Sequence, residues 1–165
     1  MDPRVTTAPA GIRQMFDLEM QLAGLVTSTS EAVLEARSIR DQLSKRSEQA
    51  GGSTRDSIEA FRKKLQALTE GAPATGESSP PALNQVNSAV STLYGAVGAS
   101  DATPTAAQVE AAKKVEQDAT TVMKQWKELK ANELPSLNLA LHGAGLPELR
   151  LDSTPSAELE QGDEE

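Results

Sequence analysis

The chain is 165 residues long, with 24 acidic and 16 basic residues, a net charge of −8, one His, one Trp and no Cys. That is the length of one domain; without thiols and with a single imidazole, it excludes a disulfide framework, a thiolate or multi-histidine metal site and a cysteine nucleophile. The acidic balance and an aromatic content of 2% argue against a nucleic-acid platform, which needs a basic face or stacking rings.

The chain opens Met1-Asp2-Pro3-Arg4-Val5, with no basic stretch running into an apolar core, so no signal peptide is expected. Its apolar runs fall far short of the roughly 20 residues that a membrane span requires, so no span is expected. Residues 1–8 read as an extended approach to a helical domain over 9–151, and 152–165 as an acidic tail. That tail holds six acidic residues and no basic ones; without it the balance is 18 acidic to 16 basic, a net of −2. A short acidic segment with Pro, Ser and Gly buries too little apolar surface to fold, so disorder is expected there.

Turn residues cluster at Ala50–Ser53, Gly71–Pro81, Gly98–Pro104 and Gly143–Pro147, and the segments between them have helical periodicity. The first runs from about Pro9 to Ala50. Met15, Leu18, Leu22, Leu25, Ala32, Ala36, Ile39 and Leu43 alternate at intervals of three and four, with Thr29 filling the missing place. That is a heptad stripe. Ile12, Val26 and Val33 widen it, which suits a helix with two neighbours. Pro9 is tolerated in the first turn, and Gly51-Gly52 supplies a left-handed cap.

The second segment, Thr54 to Glu70, carries Ile58, Phe61, Leu65 and Leu68, with Ser53 as the expected N-cap and Asp56 favouring the helix dipole. The third, Pro80 to Val97, carries Leu83, Val86, Val90, Leu93 and Val97, with Ser79 as cap and Pro80 in the first turn. The fourth, Pro104 to Ala131, carries Ala112, Val115, Ala119, Val122, Trp126 and Leu129, starting at Thr103-Pro104. Leu134, Leu137 and Leu141 continue that stripe, and Pro135 predicts a kink or restart. Gly143 and Gly145 end the helix, and Leu146, Leu149 and Leu151 read as an irregular strap folding back on the bundle.

Lengths give the topology. The first segment is about 60 Å at 1.5 Å per residue. Two short helices end to end match it, and so does the last helix with its continuation. The fold expected is all-α, an elongated antiparallel three-rod bundle with the middle rod broken at 71–79, so four main helices. Short helices packed side by side are the alternative. A core with many Ala and Val positions buries little area per residue, so marginal stability is expected.

The sequence offers little chemistry. His142 at a helix end reads as a surface residue, since no oriented partner is evident. No nucleophile elbow, phosphate loop, dinucleotide fingerprint or zinc-protease motif occurs. Glu31, Glu35, Asp41, Glu110, Glu116 and Asp118 are expected mostly on polar faces, and Trp126 and Phe61 in the core. No catalytic, cofactor or metal residue is expected. Phe16, Met20 and Ala23 form an i, i+4, i+7 line rotated away from the main stripe. Such a line is a candidate protein-docking face; the alternative is scattered surface apolar residues.

Several stretches together resemble a known family. Met1-Asp2-Pro3-Arg4-Val5, Pro9-Ala10-Gly11-Ile12 and Gln14-Met15-Phe16-Asp17-Leu18 are similar to the C-terminal end of bacterial sortilin-like proteins with BNR (Asp-box) repeats, often labelled glycosyl hydrolases. Gly98–Thr105, Trp126-Lys127-Glu128-Leu129, Glu133–Asn138 and Gly145-Leu146-Pro147 resemble the same family, so the likeness covers roughly residues 1–149. In that family a β-propeller and a small β-sandwich-like domain precede a helical segment. The propeller is missing here, and any hydrolase activity would belong to it. The resemblance therefore implies a non-catalytic helical module that docks on β-rich domains of a parent or partner protein. It also implies export if the chain is part of such a protein; a free-standing chain would be cytoplasmic, an adaptor or a self-associating coiled coil.

Overall fold

The computed structural model describes residues 9–71, 80–99 and 102–151. They form α1 (Pro9–Gln49), α2 (Gly52–Glu70), α3 (Leu83–Gly98), α4 (Ala106–Glu128), a π-turn (Leu129–Glu133) and α5 (Leu134–Gly143). No strand occurs among the described residues. The 1–8 and 152–165 segments, and Ser79, lie outside them.

The bundle has three rods. Rod one is α1. Rod two is α2 followed by α3, both antiparallel to α1. Rod three is α4, the π-turn and α5, parallel to α1. Side-chain contacts fix this register. Asn87 of α3 meets Thr29 and Ser30 of α1 at 2.9 and 3.0 Å. Further down the same pair, a Cβ on Gly98 would stand 3.2 Å from the Glu19 carboxylate. Arg40 of α1 lies 3.6 Å from Glu70 at the end of α2. Lys64 of α2 meets Glu133 of the π-turn at 2.6 Å. α2 thus runs beside α5, and α3 beside α4, as expected from the segment lengths. The side-by-side alternative is excluded.

The expected stripe of α1 faces inward. Leu18, Leu22, Thr29, Ala32, Ala36, Ile39 and Leu43 are buried, while Met15 and Leu25 are half-buried against them. Ile58, Phe61 and Leu65 join from α2, Leu83, Val86, Val90 and Val97 from α3, and Trp126 and Leu129 from rod three, in one continuous core. Thr29 is fully buried, and its hydroxyl lies 2.8 Å from the Leu25 carbonyl as well as near Asn87. A polar group in an apolar stripe is accepted because its hydrogen bonds are made inside the bundle.

The helix starts differ from expectation. α2 begins at Gly52, one residue before Ser53, with Gly51 as N-cap and no side-chain cap. Gly52 takes a positive φ of 55°, which lets the chain reverse in two residues. α3 begins at Leu83, with Ala82 as N-cap. Pro80 is not helical because Pro81 follows it, and a residue before proline is driven into extended backbone. α4 is capped by Thr105 rather than Thr103. Thr105 and Gln108 form a reciprocal capping box, with Gln108 N–H donating to Thr105 Oγ1 at 3.2 Å and Thr105 N–H to Gln108 Oε1 at 2.9 Å.

The restart expected at Pro135 is a π-turn. From Ala119 the buried positions of rod three step by three or four residues until Leu129, then by five to Leu134. An α-helix would rotate Leu134 about 100° off the core line. The wider π-turn absorbs the extra residue, with Leu134 N–H bonding Leu129 C=O. Pro135 then falls in the first turn of α5, where its missing donor costs little.

Rod three ends in a Schellman motif. Gly145 has φ 72°; Leu146 N–H bonds Leu141 C=O at 2.9 Å and Gly145 N–H bonds His142 C=O at 3.0 Å. The following strap folds back on the bundle, as expected, and buries Leu149.

Candidate functional site

The candidate docking line, Phe16, Met20 and Ala23, lies on the outer face of the N-terminal part of α1. Phe16 and Met20 are 58% and 59% exposed; Ala23 is half-buried. A line one hundred or more degrees from Leu18 and Leu22 must leave the core once those residues define the inward direction. Gly24 lies beside Met20 on this face, and a Cβ built there meets nothing within 4 Å. The register set by Asn87 and Gly98 puts Tyr94 of α3, 42% exposed, level with Ala23. The apolar surface therefore extends across the α1–α3 groove. Sequence reading missed Gly24 and Tyr94. Gly24 could have been found, because it follows Met20 by four residues on the same helix; Tyr94 needed the packing of α3.

The mid-bundle holds a polar cluster. Glu35 accepts hydrogen bonds from Trp126 Nε1 at 3.2 Å and Lys130 Nζ at 2.6 Å. The Lys130 ammonium also lies 5.2 Å from the centroid of the Trp126 ring. Trp126 is 1% exposed, so its N–H needs a partner inside the bundle, and Glu35 is that partner. Glu35 is thus not on a polar face, unlike Glu31, which is exposed. The Glu35–Lys130 pair joins rods one and three beside the π-turn, with side-chain exposures of 19% and 26%. Every group in the cluster is satisfied by another, which is the pattern of an internal clamp.

A cleft of about 210 Å³ opens where the middle rod is broken, over Val33, Ala36 and Leu65, with Arg37, Arg40 and Arg62 at its edge. Two of these guanidiniums are already engaged, Arg40 with Glu70 and Arg62 with Glu59 at 3.2 Å. The cleft's charge is thereby largely balanced from within.

The strap is held by two side-chain amides that copy backbone pairing. Asn138 accepts from Leu149 N–H at 2.8 Å and donates to Leu149 C=O at 3.2 Å. Gln42 accepts from Arg150 N–H at 2.9 Å and donates to Arg150 C=O at 2.8 Å. Arg46 donates to the carbonyls of Pro147 and Glu148 at 2.6 and 2.8 Å. Burial pushes the Arg46 guanidinium below its ordinary pKa. It remains charged at neutral pH, as arginine does in proteins. His142 is exposed at the end of α5. Among the described residues, no group of three or more His, Cys, Asp or Glu side chains is placed to hold a metal ion. No described helix is long and apolar enough to cross a membrane.

Comparison of the chain with known families, with curated proteins and with solved structures gives no match. The likeness to sortilin-like proteins gains no support from that comparison.

Proposed function

We propose that this chain is a non-catalytic helical interaction module and that Phe16, Met20 and Ala23 are its docking line. The carrying observation is the pairing of two large, strongly exposed apolar side chains one turn apart on a helix whose opposite face is fully engaged in the core. Isolated apolar residues on a surface are ordinary; a ridge of them on a rigid rod is a contact surface. A long helix also holds such a ridge at fixed spacing, so little ordering entropy is lost on binding.

The partner implied by the sequence resemblance is the β-rich part of a sortilin-like propeller protein. The test is Met20→Glu in the purified chain, with binding to a purified bacterial sortilin-like β-domain fragment as readout. The melting curve should be unchanged and the binding lost. An intact fold with unaltered binding would overturn the docking of a β-domain on this line. Self-association is the second reading, and the pairing of Met20 with the open Gly24 favours it.

A further inference from the structure

The outer face of α1 carries more than three apolar residues. Arg13, Asp17, Met20, Gly24, Thr27 and Glu31 succeed one another at intervals of four, three, four, three and four residues. All six are exposed. This is a second heptad line, on the side of the helix away from the bundle core. Such a line drifts only about 20° per heptad on an α-helix, so a slight left-handed wrap lets it meet another helix along its length.

From that spacing we infer that this face is an antiparallel, two-fold self-contact, its partner a second copy of the same chain. The inference rests on reading the Phe16–Met20–Ala23 face as a contact surface, and it names what that surface meets. Turn the line end for end against itself about its midpoint. Met20 then comes opposite Gly24, Asp17 opposite Thr27 and Arg13 opposite Glu31, each twice by symmetry. The match is complementary at its centre and at its two ends. A long flexible side chain meets the one position with no side chain, where the space around the backbone is open. Opposite charges meet at both ends of the seam. Thr27 already donates its hydroxyl to the Ala23 carbonyl at 3.0 Å, so the Asp17–Thr27 layer adds no hydrogen bond to the match. Phe16 and Ala23 lie along one flank of the seam and can cover it.

A parallel pairing fails the same inspection. It would set Arg13 against Arg13, Asp17 against Asp17 and Glu31 against Glu31, three layers of like charge. Closed two-fold symmetry also requires that one patch be complementary to itself, which the antiparallel match satisfies. The apolar content is small, one methionine, one phenylalanine and two small residues per copy. The dimer is therefore weak and reversible, with half-association expected at about 10 µM to 1 mM.

The experiment is sedimentation equilibrium of the full chain from about 10 µM to 1 mM, on the wild type, Arg13→Glu, Glu31→Arg and the double variant. The wild type should show a monomer–dimer equilibrium. Each single reversal places like charges opposite each other twice and should weaken association at least about tenfold. The double reversal restores opposite charges and should return the wild-type value within about threefold. Helical circular dichroism should be the same for all four, since the substituted positions are exposed. A wild type that stays monomeric to 1 mM, or a double variant no better than the singles, overturns the inference. Binding of Met20→Glu to the β-domain fragment separates the two proposals. A monomeric wild type whose Met20→Glu variant still loses that binding sinks the dimer alone. A Met20→Glu variant with wild-type binding, beside charge variants that behave as expected, sinks the β-domain partner alone.

Discussion

The two ends of the long helix are finished in opposite ways. Around Leu43, α1 is covered on one flank by the strap: Gln42 and Arg46 bond the strap's backbone, and Asn138 holds Leu149 from the other rod. Around Met20, the same helix leaves a heptad line facing outward, with Phe16 and Met20 more than half exposed. The difference lies in what backbone needs. A strap without regular structure carries unpaired N–H and C=O groups, so the side chains beneath it must supply partners. A helix satisfies its own backbone and can leave one face uncovered at no such cost. Closure at one end thus demanded specific polar residues, while the open end is free to carry apolar and charged residues that contribute nothing to the monomer.

Four substitutions test that contrast, the largest effect first. Leu141→Ala removes a fully buried side chain that anchors the Schellman motif and should cost about 2–5 kcal/mol in urea unfolding. Given a thin core, the closed end should melt with the whole bundle rather than fray. Glu35→Ala should cost about 1–3 kcal/mol, because it leaves the buried Trp126 N–H without an acceptor; Trp fluorescence during unfolding reads this directly. A loss as small as that of an exposed carboxylate would show that the clamp is dispensable. Asn138→Ala should cost about 1 kcal/mol and speed hydrogen exchange at the Leu149 amide specifically. Met20→Glu at the open end should move stability by no more than about 0.5 kcal/mol. A large loss there would mean that the outward face supports the fold, and the contrast between the ends would collapse.

Much of the architecture was legible because it depends on periodicity. The stripe from Met15 to Leu43 identified the buried face of α1, down to Thr29 as its polar member. Segment lengths favoured two short helices end to end against two long rods, but left their side-by-side packing open until the contacts of α2 with α5 and α3 with α4 decided it. The helix starts were less legible. Ser53 is the right kind of residue for a cap, but cap geometry depends on where the backbone turns, and Gly52 with positive φ moved that point one residue earlier. The Thr105–Gln108 pair has capping-box spacing, yet the start was expected at Thr103-Pro104. The five-residue step from Leu129 to Leu134 carries the π-turn, where the expectation was only a kink or restart at Pro135. Glu35 was not legible: its neighbour Glu31 has the same chemistry and is exposed, and nothing local distinguishes the two.

By itself the sequence determined the helices, the inward faces, the break in the middle rod and the outward line on α1. Those follow from the 3.6-residue period and the conformational limits of Gly and Pro, which act within a few residues along the chain. Only the tertiary structure decided which polar side chains turn inward as clamps and straps. Glu35 meets Trp126 across 91 residues of chain, and Gln42 meets Arg150 across 108. Which polar side chain meets a given buried group or unpaired backbone depends on how the rods are brought together, because that packing decides which side chain stands within hydrogen-bonding distance.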